Sequence, residues 1–277
     1  MNDRSPVPVV LVFAGSDPSG GAGVQADIES IASMGCHATC VITAITVQDT
    51  EDVARIEPVD AMTVMDQARA VLEDMPVAAI KVGLIGSAEN AEAIHAILMD
   101  YPELPVVLDP VIESGGGSVL TDDETAEAMV NLLFPLTTVL TPNSHEVTFF
   151  APEGDNLESR AQEILEYGCE FLLITGTHEN TRDVVNTLYG HSRQLETYTW
   201  ERLPFSYHGS GCTLSAAISG LLAQGIDPYA AFIEAQEYTW DALKQGYRIG
   251  MGQHLPNRFF WAHGEEAQRG EAELDAS

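Results

Sequence analysis

A glycine-rich turn in the last third of the chain places small residues and a cysteine directly before an apolar segment. It reads His208-Gly209-Ser210-Gly211-Cys212-Thr213 and leads into a run rich in Ala and Leu. Amides in the first turn of a helix have no intrahelical acceptor, and glycine lets an anion approach them closely. Gly209, Ser210, Gly211 and Cys212 therefore predict an anion hole that suits a phosphoryl group.

Cys212 is also a candidate base. The partial positive charge at a helix N-terminus favours a thiolate, which could take a proton from a substrate hydroxyl. Alternatively, Cys212 is a small buried residue that closes the start of the helix. The neighbouring His208 is open to a packing or capping role as well as a chemical one.

A second glycine-rich loop occupies 14–23, between an apolar run and a segment with helical periodicity. Its sequence AGSDPSGGAG has neither the lysine of a Walker phosphate loop nor the spacing of a dinucleotide fingerprint. Gly15 would let a ligand approach the backbone. Asp27, expected in the first turn of the following helix, would accept a hydrogen bond from an amino or hydroxyl group. The alternative is an ordinary tight connection with an acid near a helix N-terminus.

Other polar residues follow strands of the predicted sheet. Gln48 offers a donor and an acceptor that suit the edge of an aminopyrimidine or pyridine, although the residue taken alone favours a solvated loop glutamine. Asp109 ends one strand, and Asn143 and Glu146 follow the next strand three residues apart. Their oxygens suit Mg²⁺ held together with substrate phosphates. The alternative is a capping box with Asn143 as the N-cap and Glu146 at N3.

Alternating strand and helix patterns explain why these residues would meet. Apolar runs of strand length occupy 7–13, 39–45, 78–84, 106–108, 138–140 and 171–174, and helical periodicity occupies 24–34, 62–74, 88–99, 122–133 and 157–167. This order predicts an α/β fold with a mostly parallel sheet covered on both faces. Ligands of such sheets gather beyond the carboxyl ends of the strands.

The rest of the chain predicts an edge hairpin, two helices and a tail. Short alternating segments at 183–190 and 194–200 predict an antiparallel hairpin, and helices are expected at about 212–223 and 228–244. We expect one domain over 1–263. The acidic, polar stretch 264–277 predicts a disordered tail.

The charge balance excludes several classes of partner. The chain has 42 acidic and 12 basic residues and a net charge of −30, and its only lysines are Lys81 and Lys244. Nucleic acid and anionic membranes need clustered Lys or Arg, so neither is expected as a partner. No apolar run is long enough to span a membrane, and the four cysteines form no CxxC pair, which favours a cytosolic enzyme. Such acidity suits a salt-rich cytoplasm, although an acidic protein of an ordinary cell explains it equally well.

Together these segments resemble the hydroxymethylpyrimidine/phosphomethylpyrimidine kinases of thiamine biosynthesis, vitamin kinases of the ribokinase-like superfamily. The resemblance covers about 9–262 and is most specific in AGSDPSGGAGVQAD at 14–27, LTPNSHE at 140–146 and HGSGCTLSAA at 208–217. It implies a three-layer α/β/α fold without a separate lid, and usually a homodimer. It also implies transfer of the γ-phosphate of Mg·ATP to 4-amino-5-hydroxymethyl-2-methylpyrimidine and then to its monophosphate.

The same resemblance assigns residues to the site. Those that would hold the pyrimidine are Gly15, Asp27 and Gln48, with Leu84 and Val111 lining its pocket. Those that would serve ATP and Mg²⁺ are Asn143, Glu146, Thr175 and Asp109. Cys212 stands where sugar kinases of the superfamily carry an aspartate base.

Three positions differ from the pattern of this family. Many relatives have a methionine in place of Leu84, a lysine within the stretch 175–178, and a lysine-bearing turn where this chain reads ESGGG at 113–117. The alternatives are a pyridoxal kinase, whose substrate also carries a hydroxymethyl group on a flat ring, and a ligand-binding protein of the same fold that has lost phosphotransfer. A nicotinamide oxidoreductase is a weaker alternative because the glycine fingerprint is absent.

Overall fold

A nine-stranded mixed sheet forms the centre of the protein in a computed structural model that describes residues 7–179 and 181–262. The strands are β1 (Val9–Ser16), β2 (His37–Gln48), β3 (Val53–Pro58), β4 (Val77–Val82), β5 (Val106–Leu108), β6 (Val139–Leu140), β7 (Phe171–Ile174), β8 (Asp183–Gly190) and β9 (Arg193–Glu201). Their order in the sheet is β3-β2-β1-β4-β5-β6-β7-β8-β9. Six adjacent strands are parallel to one another, namely β2, β1, β4, β5, β6 and β7. At the two edges of the sheet, β3 pairs antiparallel with β2, and β8 pairs antiparallel with both β7 and β9.

Helices cover both faces of this sheet. They are α1 (Gly23–Ser33), α2 (Ala61–Asp74), α3 (Ala88–Asp100), α4 (Asp123–Ala128), α5 (Ser144–Phe150), α6 (Leu157–Glu166), α7 (Ser210–Ala223) and α8 (Pro228–Lys244). Successive residues of a strand point to opposite faces, and β1 shows the result. Leu11 and Phe13 pack in the core under α2 to α6, while Val10 and Val12 pack against α1 and α7. The predicted α/β fold with three layers is confirmed.

Most predicted elements are present, and the differences have local causes. Strands Val106–Leu108 and Phe171–Ile174 and helix Pro228–Lys244 have the predicted bounds. Strand β3 was not predicted, because an edge strand exposed along much of its length lacks a buried apolar face. The helix predicted at 122–133 ends at Ala128 and continues as a π turn at Met129–Leu133. The predicted tail at 264–277 lies outside the described residues.

The hairpin of β8 and β9 turns at His191 and Ser192. Both residues have positive φ, 51° and 57°, as the central residues of a type I′ turn require. The predicted hairpin is thus confirmed, with Arg193 in the second strand. Within the part of the chain that the structure describes, every helix is too short or too polar to cross a bilayer.

The strand order reverses direction beside β1, and this reversal determines where a ligand can bind. The chain runs from β1 to β2 on one side and later adds β4 on the other side. The connections that leave β1 and β4 therefore separate and open a crevice at the carboxyl end of the sheet. Gly15 lies near the end of β1, and Leu84 follows β4, on the two sides of this crevice.

Candidate functional site

One cavity of about 690 Å³ lies along the carboxyl edge of the sheet. It brings together residues that follow β1, β2, β4, β5, β6 and β7 and the first turn of α7. Twelve of the thirteen predicted site residues line it, namely Gly15, Gln48, Leu84, Asp109, Val111, Asn143, Glu146, Thr175, Gly209, Ser210, Gly211 and Cys212. The exception is Asp27.

The glycine-rich turn presents its amides to this cavity. Helix α7 begins at Ser210, with Gly209 as the N-cap in the left-handed region at φ 82°, and no side chain caps it. The first amide with an acceptor in this helix belongs to Thr213, which donates to the carbonyl oxygen of Gly209 at 3.0 Å. Among the described residues, none accepts a hydrogen bond from the amides of Gly209 to Cys212. Four donors are therefore available to an anion.

Cys212 is protonated in this environment, contrary to the expectation that the helix dipole favours its thiolate. Burial raises the pKa of the Cys212 thiol to about 12, and repulsion by Asp109 and Asp27 adds to this effect while Lys81 opposes it. The side chain is partly accessible and borders the cavity. Asp109 borders the same cavity, so a carboxylate lies in the vicinity of the candidate base.

Asn143 and Glu146 form the capping box that was one of the two alternatives. The Asn143 side chain accepts from the amides of His145 at 2.8 Å and Glu146 at 3.0 Å, and Glu146 accepts from the Asn143 amide at 2.7 Å. This box starts α5 and holds both side chains at the cavity wall. The capping role thus fixes their position and leaves a ligand role open.

Asp109 and Glu146 are both buried and act on each other. Burial and repulsion by Asp109 raise the pKa of Glu146 to about 8, and burial raises the pKa of Asp109. Two buried carboxyl groups that resist joint ionisation are chemically suited to a divalent cation. No cluster of three or more His, Cys, Asp or Glu side chains able to hold a metal occurs in residues 7–179 and 181–262. Two carboxylates still fit Mg²⁺, which completes its coordination with water and phosphate oxygens.

The position of Asp27 differs from the expectation. Helix α1 begins at Gly23, so Asp27 lies in its second turn and not in the first. Its side chain is fully buried, and its two oxygens lie 2.9 and 3.1 Å from Nζ of Lys81. Lys81 borders the cavity, whereas Asp27 does not. In this structure the partner of Asp27 is therefore Lys81, and contact between Asp27 and a substrate stays a prediction.

The predicted pyrimidine side of the cavity is narrow and mixed in polarity. A Cβ added to Gly15 would lie 2.9 Å from Cδ2 of Leu84, so a glycine is needed at this close approach. Gln48 ends β2, and Val111 follows β5, on the walls nearby. An apolar slot with one amide side chain at its edge suits a flat heterocycle with exocyclic polar groups.

Two ties connect the loop at 17–22 to the turn at 208–213. His208 Nε2 lies 2.8 Å from Oδ2 of Asp17. The Asp17 carboxylate also accepts hydrogen bonds from the amide of Ser19, at Oδ1, and from the amide of Ala22, at Oδ2. The second tie is Arg258, whose guanidinium is 2 % exposed and donates to Thr213 Oγ1 at 2.9 Å and to the carbonyl oxygen of Gly21. These contacts set the separation between the two glycine-rich segments.

Residues 113–117 form part of the cavity wall. Glu113 and Val119 pair as an antiparallel bridge, and Ser114 and Ser118 donate to Asp52 at 2.5 and 2.7 Å. These hydrogen bonds lower the pKa of Asp52 to about 2. The turn between β2 and β3 therefore holds this part of the wall in place.

Sequence reasoning missed Lys81, Asp17 and Arg258. For Lys81 a signal was present, because a lysine within the buried run at 78–84 needs a charged partner. Arg258 gave no local signal, since its partners lie more than forty residues away and as far as 237 residues away in the sequence. Trp200 and Trp240, which line the far end of the cavity, also had no pattern to mark them.

Comparison with known proteins agrees with this geometry. A sequence model of the family described as phosphomethylpyrimidine kinase matches residues 17–257. The hydroxymethylpyrimidine/phosphomethylpyrimidine kinase of Synechococcus elongatus is 35% identical over 92% of this chain and 98% of its own length. The thiamine biosynthesis bifunctional protein ThiED of Geobacter sulfurreducens is 34% identical over 91% of this chain, which spans about half, 52%, of that relative.

Solved structures show two kinds of similar kinase. The crystal structure of an ADP complex of Bacillus subtilis pyridoxal kinase has a TM-score of 0.83 and 26% identity, over 93% of this chain and 100% of that one. The Clostridium difficile phosphomethylpyrimidine kinase has a TM-score of 0.72 and 33% identity, over 84% and 97%. Of these two structures, the pyridoxal kinase is nearer to this chain in backbone shape, and the phosphomethylpyrimidine kinase is nearer in sequence.

Proposed function

Because the chain belongs to the phosphomethylpyrimidine kinase family, we propose that it is a cytosolic enzyme of thiamine biosynthesis that phosphorylates 4-amino-5-hydroxymethyl-2-methylpyrimidine and then its monophosphate with Mg·ATP. The observation that carries the proposal is one cavity that holds both the free amides of Gly209 to Cys212 and the heterocycle slot around Gly15, Leu84 and Gln48. A phosphate acceptor and a phosphate donor can therefore lie in the same enclosed space.

The anion hole is the main catalytic element of the proposed reaction. Phosphoryl transfer depends on positioning and on stabilising charge at the transferring group. The amides of Gly209 to Cys212 point at a site that no protein group occupies, so they need not reorganise during transfer. This arrangement also argues against a binding protein that has lost phosphotransfer.

Cys212 and Asp109 would handle the proton of the substrate hydroxyl. Cys212 and Asp109 both line the cavity, and the charge of Asp109 is near enough to raise the pKa of the thiol. We propose that the hydroxyl proton passes to the Asp109 carboxylate, either directly or through Cys212, whose own thiol proton then moves to Asp109. Replacement of Cys212 by Ala is expected to lower turnover on the order of 10²-fold if the thiol takes part. An unchanged rate would leave Cys212 as a packing residue.

The acidic pair would provide the metal site. Asp109 and Glu146 would hold Mg²⁺, and Asn143 would keep Glu146 in place through the capping box. The metal, when bound, would neutralise charge on the phosphates. Without it, two buried acids would face an anionic nucleotide.

ATP would occupy the wider end of the cavity. Trp200, Leu203, Phe205, Trp240 and Leu243 give this end flat, apolar walls that suit a nucleobase. Thr175 lies between these walls and the capping box, where β7 ends. His178, which belongs to the stretch 175–178 where many relatives carry a lysine, stacks on His145 with ring centroids 4.6 Å apart.

Pyridoxal is the second candidate substrate, because the fold is nearer to a pyridoxal kinase than to a solved phosphomethylpyrimidine kinase. Both are aromatic primary alcohols of similar size. The experiment is an assay of the purified protein with Mg·ATP and, in parallel, the pyrimidine alcohol, its monophosphate and pyridoxal. We expect the highest kcat/KM on the pyrimidine alcohol, and a higher value on pyridoxal would reassign the enzyme.

Replacement of Gln48 tests the substrate specificity, and Gln67 provides the matched control. Replacement by Leu removes the donor and the acceptor at the edge of the slot, so kcat/KM on the pyrimidine should fall by about 10-fold or more, the scale of one lost hydrogen bond to a buried partner. A change at Gln67, a half-buried glutamine on α2 that does not line the cavity, should have no effect. Light scattering of the same preparation would test the homodimer that we propose from the family.

A further inference from the structure

Lys81 is a lysine in the interior of a parallel sheet. It lies on β4, its side chain is 0% exposed, and Nζ contacts both oxygens of an equally buried Asp27. A buried ion pair contributes little net stability compared with an apolar pair of similar volume. Stability alone therefore gives no reason for this pair in a chain that has only two lysines.

The surroundings of Lys81 connect it to the active site. Lys81, Asp109 and Cys212 border the same cavity. Gly83, two residues after Lys81, leaves room for the ammonium group, since a Cβ there would lie 2.6 Å from Nζ. Burial opposes the charge on Lys81, but Asp27, Cys212 and Asp109 are near enough to raise its pKa above the ordinary lysine value.

The ammonium group of Lys81 has hydrogen-bond donors that Asp27 does not use. It carries three donors, and one of them makes a hydrogen bond, to Oδ2 of Asp27 at 3.1 Å, while Oδ1 lies 2.9 Å from Nζ as an ion-pair contact without a hydrogen bond. Within residues 7–179 and 181–262, the other donors of the ammonium group have no acceptor. A buried donor without an acceptor is destabilising, and this is tolerated more readily where a ligand or a reacting group will come near.

Two other basic side chains that border the cavity, Arg202 and His208, already have hydrogen-bond partners. Arg202 donates to the carbonyl oxygens of Thr177, Glu179 and Thr181 and so closes the loop after β7. His208 is joined to Asp17. The acids Asp109 and Glu146 and any bound phosphates would otherwise gather negative charge around Cys212.

We propose that Lys81 is a positioning residue for phosphoryl transfer. Its ammonium group, anchored by Asp27, holds Asp109 and Cys212 in place and offsets the negative charge that collects beside the anion hole. This assignment rests on the proposed kinase function. It gives the Asp27–Lys81 pair a role that is separate from the predicted contact between Asp27 and the substrate.

The test separates stability from turnover with paired variants of the full chain. Lys81→Met leaves Asp27 charged and unpaired, so its Tm should fall. The double variant Asp27→Asn, Lys81→Met has no buried charge at this position, so its Tm should return most of the way to the wild-type value. Its kcat should stay about 10²-fold low, the scale of one lost preorganised electrostatic group, with KM for ATP within threefold of wild type.

A second variant tests the position of the ammonium group without removing its charge. Gly83→Ala adds a methyl group against Nζ and should lower kcat with little change in KM, and it remains informative if the double variant fails to fold. Wild-type kcat in the double variant would overturn the assignment, because Lys81 would then serve only to neutralise Asp27. Absence of turnover by the wild type on all three vitamin substrates would instead refute the proposed function, and the assignment with it.

Discussion

Arg258 links four parts of the structure, and its removal should be costly. Its guanidinium donates to Thr213 Oγ1 at 2.9 Å, to Gly21 O, to Glu29 at 3.2 Å and to Gly20 O at 3.4 Å. Replacement by Met would keep most of the side-chain volume and remove all of these donors. The acceptors in Thr213 and Gly21 are buried and would lose their partner.

The expected cost follows from these contacts. Each hydrogen bond from a charged donor to a buried acceptor contributes roughly 1.5–3 kcal/mol, and breaking a buried polar cluster typically costs about 3–5 kcal/mol. Glu29, 23% exposed, can be solvated and adds little. At roughly 2–4 °C per kcal/mol for a protein of this size, Tm should fall by roughly 6–20 °C.

Thermal unfolding followed by circular dichroism would measure this difference. The control is Arg69→Met, which removes an exposed contact of 3.6 Å to Asp100 and should change Tm by less than about 1–2 °C. At a temperature where both variants are folded, Arg258→Met should also lose turnover, since it loosens the spacing between the two glycine-rich segments. If Arg258→Met melts within 2 °C of the control, the reasoning about buried acceptors is wrong.

Further predictions concern single glycines, pH and salt. Gly209→Ala should abolish turnover, because at φ 82° an added Cβ would overlap Gly21 O. Gly225→Ala, at φ 76°, meets open space and should lower the free energy of unfolding by only about 1 kcal/mol. Turnover and thermal unfolding of both variants check this. Burial opposes the charge on Asp17, but hydrogen bonds from His208, Ser19 and Ala22 hold its pKa below its ordinary value of 3.8. The charged Asp17 therefore stabilises the fold above pH 3.8, and this stabilisation is lost as the pH falls through the lower folded-state pKa. The difference in Tm between wild type and Asp17→Asn should narrow below pH 3.8. A constant difference would contradict the lowered pKa of Asp17. Because the net charge is −30, raising KCl from about 0.1 to 1 M should raise Tm by screening self-repulsion, and a flat or falling Tm would exclude that explanation.

The sequence predicted the parts of the site that depend on short segments. The turn at 208–213, the capping box at Asn143 and the strand ends at Gly15 and Asp109 could be placed because parallel strands bring their carboxyl ends to one edge. What it missed depends on distant contacts. The Asp27–Lys81 pair joins α1 to β4, and the Arg258 contacts join the C-terminal part of the described chain to residues near its start.

The error on Cys212 has a similar cause. A helix N-terminus favours a thiolate, and this effect can be inferred from local sequence. Burial and the charge of Asp109 act in the opposite direction and are stronger here, but both depend on how the strands assemble. Local electrostatics therefore gave the correct location of the cysteine and the wrong protonation state.

The position of Arg258 in the chain has a consequence for synthesis. The nine described strands and the groups proposed for catalysis precede it in sequence, so they leave the ribosome before it does. A nascent chain that stops before residue 258 would carry the complete set of reactive groups without the guanidinium that braces them. The site should thus reach its final geometry only after residue 258 has been synthesised.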